Sequence, residues 1–490
     1  MDPRPANRSL HLARRAGAQV ALTLALALAG CASTLSPPAV SPALGEQALA
    51  GWARNDNTTS PSAPDETALA QWWQQFGDTG LDRLMQQALA NNRDLKAAQA
   101  NLRQAQAARA VSEAGFSPTV GTSASVNRNA TRSSASNTYQ LGFSASWEPD
   151  LNGTQAAGLT AATADQQAAQ ADLATTRMTI TAELGLAYVQ WRGAQAREQI
   201  TRESLASLEQ TLQLAQWKAQ VGLASSLDVE QSRLTTEQTR ANLPSLATEV
   251  AQYEHQIALL TGQSPAEWRQ AWQSQAGAGV PQATAALQRL AVGLPADLLR
   301  RRPDLQSAEA NVRATWARKE QTRRAGFPGL SLAGSVGLQA LTISGLSAAT
   351  AGVATLAAAV DWTLFDAGAR QAQVDQQDAL LAISHASYEG AVLSAVKDVE
   401  DGLVALHGSR ERAGSLGRAA DAAEAALQGT RARHQAGLTD FATLLEAQRD
   451  ELNTRLSLQT TQTDVSLNLI RVFKALGGGW NANDMHLASN

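Results

Sequence analysis

The residues with chemistry to offer are few: one cysteine, six histidines, and small knots of charge in a 490-residue chain. Cys31 ends the stretch LAGC, directly after the apolar run that begins at Val20. Small residues at Ala29 and Gly30 suit a bacterial lipobox, in which the Cys31 thiolate takes a diacylglycerol and the freed amine an N-acyl chain. An ordinary signal peptide followed by an incidental thiol is the plainer alternative. Each buried CH₂ of an acyl chain adds roughly 0.8 kcal/mol of membrane affinity, so several chains on one residue anchor firmly. His11, His255, His385, His407, His434 and His486 lie far apart, with no i, i+4 pair, so a metal site is not expected. Neither a phosphate-binding glycine loop nor a nucleophile elbow occurs, which points away from an enzyme and leaves any energy supply to a partner. Asp398, Glu400 and Asp401 crowd one helical stretch, as a solvated face or as a selectivity ring.

The segment ahead of Cys31 has the parts of a signal peptide. Arg4, Arg8, Arg14 and Arg15 precede an apolar run of about eleven residues, where a spanning helix needs about twenty. No other stretch reads as a helical span. Ala32 follows the cysteine, where an Asp commonly retains lipoproteins at the inner membrane, so sorting points to the outer membrane. The formal net charge is −4, which offers no basic footprint for nucleic acid. Aromatics are only 4% of the chain, a composition suited to long helices.

The chain also repeats itself. NRDLKAAQANLRQ answers RPDLQSAEANVRA with Asp94 on Asp304, an offset of 304 − 94 = 210. Trp147 answers Trp362, Gly153 answers Gly368, and VGLASSLDV from Val221 answers AGLTDFATL from Ala436, all at an offset of 215. Features in the same order over about 170 residues mark a tandem duplication.

Within each repeat the periodicity predicts a helix, two strands, and a long helical hairpin. In the first repeat a helix is expected from Leu81 to Glu113, then alternation typical of strands, then an unbroken helix from Thr154 to Ala219. At 1.5 Å per residue that helix is roughly 100 Å long. Gly222 and Gly437 suit left-handed caps at the two reversals. Leu246, Val250, Tyr253, Ile257 and Leu260, and in repeat two Val392, Val396, Val399, Leu403 and Leu406, make narrow 4-3 seams. Pro244 has no counterpart in repeat two and is expected to kink its helix. Two strands per repeat give four per chain, too few for a closed barrel, and open edges are not tolerated in lipid. Either the strands are soluble hairpins, or several chains pool them, three chains giving about twelve. Trp147 and Trp362 border the strands as interface aromatics or as packing.

LPADLLRRRPDLQSAEANVRA (Leu294–Ala314), with WWQQFGDTGLDRLMQQALANNRDL, WEPDLNG, WTLFDAG and the VGLASSLDV turn, resembles the outer-membrane efflux protein family. These are the TolC-like exit ducts of tripartite pumps, here in their lipoprotein branch. The resemblance implies a mostly α fold with a small membrane β-barrel: a homotrimer with a twelve-stranded barrel and a periplasmic α-helical barrel. It divides the chain into a signal peptide (1–30), a lipid-anchored tether and equatorial segment (31–78), repeat one (79–262), an inter-repeat equatorial segment (263–293), repeat two (294–476) and a tail (477–490). The implied function is a passive outer-membrane duct for drugs or other small toxic compounds in a Gram-negative bacterium. Its partners would be a periplasmic adaptor and an inner-membrane RND-type or ABC-type transporter, with outer-membrane lipid around it and no cofactor beyond the acyl chains. By the same resemblance, the turns carrying Gly222, Leu223, Gly437 and Leu438 are where an adaptor docks, and Arg431, Arg433 and Asp440 are candidate aperture-gate links. A duct for type I protein secretion, or a lipid-anchored coiled-coil scaffold without a pore, are the alternatives.

Overall fold

The computed structural model describes residues 59–60, 66–272, 279–283, 290–291, 297–298, 301–347 and 352–481; Cys31 lies outside them. In chain order the elements are β1 (Thr59–Ser60), α1 (Glu66–Ala70), a 3-10 turn (Trp72–Phe76), α2 (Thr79–Asn91), α3 (Arg93–Ala114), β2 (Thr119–Ala130), β3 (Ala135–Trp147), α4 (Thr154–Gln220), α5 (Ser226–Leu260) and α6 (Pro265–Trp272). Then come β4 (Leu290–Ala291), α7 (Pro303–Arg324), β5 (Gly329–Ala340), β6 (Gly352–Asp361), α8 (Ala369–Gln435) and α9 (Phe441–Ala475). In the long helices and the first strand of each repeat the duplication is kept to the residue, while β3 holds 13 residues and β6 holds 10. α4 and α8 each hold 67 residues, and α5 and α9 each hold 35. α3 and α7 each hold 22, and β2 and β5 each hold 12.

One expected helix is two. The chain breaks at Asn92, whose backbone is extended (φ −55°, ψ 137°) between α2 and α3. The Asn92 Oδ1 accepts from the backbone N–H groups of Asp94 (2.9 Å) and Leu95 (3.0 Å), the work of an N-cap. Pro244 lies inside α5, which continues through it; the missing N–H leaves the Arg240 carbonyl without its helical donor. One expectation about the membrane also changes. By length and composition alone, α8 contains an eighteen-residue stretch apolar enough for a bilayer, and little of that stretch is buried.

The chain divides into two compact units, and α3, α4, α7 and α8 each contribute to both. The first unit (102–169 and 307–388 among its described parts) holds the sheet. Its strands run antiparallel in the order β2-β3-β5-β6, so β2 and β6 are the free edges. α4 lies along α7 there. Arg318 reaches the Asp165 carboxylate at 2.5 Å, and Arg313 Nη1 donates to Gln167 Oε1 at 3.4 Å. On the other side of α7, Lys319 pairs with Asp378 of α8 at 2.5 Å.

The second unit (43–101, 170–306 and 389–490 in outline) has an aromatic centre. Trp72 is fully buried, stacked on Phe473 with ring centroids 5.7 Å apart, and edge-on to Trp73 and Phe76. Gly185 makes room for it: a Cβ there would sit 2.4 Å from the indole. A second cluster joins Trp191 to Trp268 (5.4 Å) and Trp268 to Trp272 (6.1 Å), with the Arg83 and Arg192 guanidiniums over Trp272 and Trp191. Five of the eleven tryptophans thus pack in these two clusters. β1 pairs in parallel with β4, tying the N-terminal segment to the inter-repeat segment.

The 4-3 seams face inward. Ile257 and Leu260 are buried on α5, and Val392, Val399 and Leu406 on α8. The acid knot of α8 is mostly paired: Asp398 takes a bond from Arg302 (3.2 Å), and Asp401 one from Lys397 (2.6 Å). Asp401 remains solvent-exposed, as a solvated face requires.

Candidate functional site: the helix-turn tips and the sheet

The two reversals sit in the second unit, and each closes as a Schellman motif. Gly222 takes φ +78° and Gly437 φ +70°, a conformation that favours glycine. The Gly222 N–H donates to Ala219 O (3.0 Å) and the Leu223 N–H to Lys218 O (2.7 Å). At the second turn Gly437 donates to His434 O (3.0 Å) and Leu438 to Arg433 O (2.8 Å). Each pair satisfies carbonyls that the helix end leaves orphaned. Nothing lies within 4 Å of where a Cβ would be at either glycine, and Leu223 and Leu438 are 77% and 69% exposed. The leucines therefore do not seal the turns.

After each turn the next helix is capped. Ser225 and Asp228 form a reciprocal capping box on α5, with bonds of 3.1 and 3.0 Å. Asp440 holds the equivalent place on α9 (225 + 215 = 440), its Oδ1 accepting from the Thr443 N–H at 2.8 Å. The bonds from the Thr443 side chain and backbone hold the Asp440 carboxyl below its ordinary range, with a smaller contribution from His434. Arg431, on α8, reaches Ser207 of α4 (3.3 Å) rather than Asp440.

The tips meet along a groove of about 500 Å³ lined by Leu214, Lys218 and Leu223 from one side and by Arg431, Asp440 and Phe441 from the other. Gln448 bridges the two repeats at its base, donating to Thr211 Oγ1 at 3.1 Å. Of the residues singled out from sequence, the fold thus gathers Leu223, Arg431 and Asp440. Gly222, Gly437 and Leu438 stay on the turns themselves, and Arg433 on the last helical turn of α8. His434 escaped the sequence reading. Its Nδ1 lies 3.3 Å from Thr439 O and its ring 5.6 Å from that of Phe441, buttressing the second turn. Ser-x-x-Asp at Ser225 was a readable cap signal; nothing in the sequence marks His434.

The sheet has two unlike faces. Register sets Val126 opposite Tyr139, Phe143 opposite Val336, and Gly334 opposite Leu356, a mostly apolar face across all four strands that Thr122 and, at its end, Arg128 and Asn137 interrupt. Phe143, Val336 and Leu356 on it are 62%, 59% and 89% exposed. The other face carries small polar residues that bond across strands, as Ser335 does with Thr355 (2.6 Å) and Ser125 with Gln140 (3.3 Å). Trp147 and Trp362 end the apolar face at one rim, 39% and 59% exposed. An apolar face on strands of 12 residues, roughly 28 Å tall at a 45° tilt, matches the apolar band of an outer-membrane barrel. Among the described residues no three His, Cys, Asp or Glu side chains gather as a metal site would require.

Comparison with known proteins agrees with this geometry. The family model described as outer membrane efflux protein matches residues 84–263 and 294–478. The solvent efflux pump outer membrane protein SrpC of Pseudomonas putida is 29% identical over 426 residues, covering 85% of this chain and 89% of that protein. Outer membrane protein OprJ of Pseudomonas aeruginosa is 30% identical, over 84% of this chain and 86% of its own. Among solved structures, the outer-membrane channel OprN superposes with a TM-score of 0.80 at 30% identity, covering 91% of this chain and 99% of that one.

Proposed function

We propose, from the premise that the chain belongs to the outer membrane efflux protein family, that this outer-membrane protein is the passive exit duct of a tripartite efflux system for drugs or other small toxic compounds. The observation that carries this reading is the sheet: one mostly apolar face and two unpaired edges, β2 and β6. Such edges are untenable in lipid until other strands cover them. Three copies would pool their strands into a closed barrel of twelve, and the Ser- and Thr-rich face would line its water. The relatives' names support the cargo class, solvents for SrpC.

The partners in this reading are a periplasmic adaptor and an inner-membrane transporter of RND or ABC type, which supplies the energy. The exposed Leu223 and Leu438 turns, with the groove beside them, form the adaptor surface. Arg431, Arg433 and Asp440 are the polar groups through which the tips would close and open. Cys31 is acylated and tethers the chain, the barrel itself supplying the spanning structure.

The purified chain in planar bilayers should give stepwise conductance, and a deletion strain should become sensitive to solvents and dyes, restored by the plasmid-borne gene. Absence of any conductance would leave a lipid-anchored scaffold. Loss of one secreted polypeptide with unchanged drug tolerance would make the duct one for protein export. Palmitate label should enter the wild-type chain and not Cys31→Ser.

A further inference from the structure

The four long strands carry only two charged residues, Arg128 and Asp361. The register puts them on opposite faces. Arg128 stands two residues from Val126, so it shares the mostly apolar face. Asp361 follows Val360 of that face, so it falls on the polar one, opposite Gly329. Its companions there are Ala359, Ala357 and Thr355 along β6, and Ser331, Ala333 and Ser335 on β5. Each is small and neutral. Among the strand residues, Asp361 is therefore the one fixed charge on the polar face. It is solvent-exposed, and the glycine opposite puts no side chain over it.

The repeat shows that the fold does not require this charge. Asp361 corresponds to Ser146 (146 + 215 = 361), each directly before its tryptophan. Ser146 satisfies itself locally, its Oγ 2.8 Å from Thr119 Oγ1. The Asp361 carboxylate has no hydrogen-bond or ion-pair partner among the described residues, so it holds no two elements together. What it offers is its field.

The surroundings lean the same way. Where the strands give way to helices, a cavity of about 380 Å³ is lined by Glu148, Asp150, Asp361 and a single cation, Arg370. Arg370 is already engaged. Its Nη1 and Nη2 donate to Gly326 O (3.2 Å) and Thr363 O (3.3 Å), and its Nε lies 3.9 Å from the Asp366 carboxylate. Asp150 accepts from the Ala156 N–H at 2.8 Å. The Glu148 carboxylate, like that of Asp361, has no partner among the described residues. Gln155, also in the lining, leaves its Oε1 buried without a donor. The groups these side chains leave unsatisfied are acceptors, and the uncompensated charge is negative.

We infer that Asp361 determines charge specificity in the duct, setting a preference for cations over anions where the sheet meets the helices. This inference rests on the duct reading above, in which the polar face lines the water. Each copy of the chain would set one Asp361 at the same level. Carboxylates on an otherwise neutral wall concentrate positive ions beside them and repel negative ones. The favoured cargo is then a small amphiphile with an ammonium group over one with a carboxylate, while uncharged solvents pass without discrimination. Salt sets the reach of the field, about 8 Å at physiological ionic strength and about 30 Å at 0.01 M. The preference therefore grows as salt is diluted.

Reversal potentials of the full chain in planar bilayers test this, across a gradient of KCl, whose two ions diffuse nearly alike. The wild type should show the sign of a cation-preferring pore. Asp361→Asn should shift the potential towards zero, and Asp361→Lys should carry it further, towards anions. Both shifts should be larger in dilute than in molar salt. Asp361→Asn combined with Ser146→Asp moves the charge to the equivalent place in the other repeat and should restore the preference. Arg128→Asn removes the other charge of the sheet, from the opposite face, and should leave the potential unchanged. Choline chloride in place of KCl should rank the variants in the same order, as recognition of an organic cation requires. Unchanged potentials in both Asp361 variants, with conductance intact, would overturn the inference and leave the duct reading standing. Equal shifts from Arg128→Asn and Asp361→Asn, or a conducting Ser146→Asp combination without rescue, would overturn it as well. A wild-type chain that gives no conductance sinks the duct reading itself.

Discussion

Asn92 and Arg302 occupy the same place in the two repeats (92 + 210 = 302), and they hold it by different chemistry. Asn92 Nδ2 donates to the carbonyl of Leu260, the last residue of α5, at 2.9 Å. Arg302 Nη1 donates to the carbonyl of Ala475, the last residue of α9 and the equivalent of Leu260, at 3.3 Å. The task is shared: tie the start of one helix to the end of another. In the first repeat a neutral amide also caps α3. In the second, Pro303 opens α7, where its missing N–H costs nothing. The guanidinium there spans Asp304 (2.7 Å) and Asp398 (3.2 Å). Burial works against the Arg302 charge, and the Asp304 and Asp398 carboxylates outweigh it, raising its pKa. Duplication has preserved a backbone geometry while each copy drifted to its own way of satisfying it.

Substitutions at paired positions would separate geometry from chemistry. The largest loss should follow Arg302→Met, which orphans a helix-end carbonyl and unpairs two carboxylates. Because Asp304 and Asp398 retain some solvent, the cost should be about 3 kcal/mol, the low end for a broken buried pair. Asn92→Ala removes a cap and the bond to Leu260 O, for about 2 kcal/mol. Thermal midpoints of the two variants in detergent would rank them. An Asn92→Ala loss above that of Arg302→Met would mean that the cap, not the charge network, is the stronger tie.

Gly193 and Gly408 make a second pair (193 + 215 = 408). A Cβ at Gly193 would lie 2.6 Å from Thr463 Oγ1, while at Gly408 nothing stands within 4 Å. Gly193→Ala should therefore cost about 1 kcal/mol net, overpacking outweighing the gain in helix propensity. Gly408→Ala should instead stabilise by up to about 1 kcal/mol. Equal signs in the melting shifts of the two variants would erase the contrast.

The smallest effect concerns the caps of the return helices. The folded-state pKa of Asp440 is lowered, so its contribution is present above the ordinary carboxylate range and fades as pH falls through the lowered value. Amide exchange at Thr443, corrected for its intrinsic pH dependence, should quicken in acid, and Asp440→Asn should abolish that dependence. An unchanged pH response in the Asn variant would assign the effect elsewhere.

The elements were largely legible because their signals are local. Gly222 and Gly437 announce reversals through the one conformation only glycine adopts freely, and the alternation in YQLGFSASW marks a strand whichever chain it pairs with. The break at Asn92 was not read, since Asn and Arg interrupt no periodicity. Pro303, aligned with Arg93, was the available hint. Asp440 entered as a candidate gate link through the family resemblance; only the backbone places its carboxylate on the Thr443 N–H.

Sequence alone, then, determined which segments are helix and strand, that the pattern occurs twice, and that four strands cannot close by themselves. These follow from side-chain period and backbone sterics within a few residues. Tertiary structure decided that α4 is covered where α8 is bare, that Arg431 turns to Ser207, and that one end-to-start tie is an amide and the other an ion network. Those outcomes depend on which surfaces meet across hundreds of residues, and two sequence copies with one backbone can meet different neighbours.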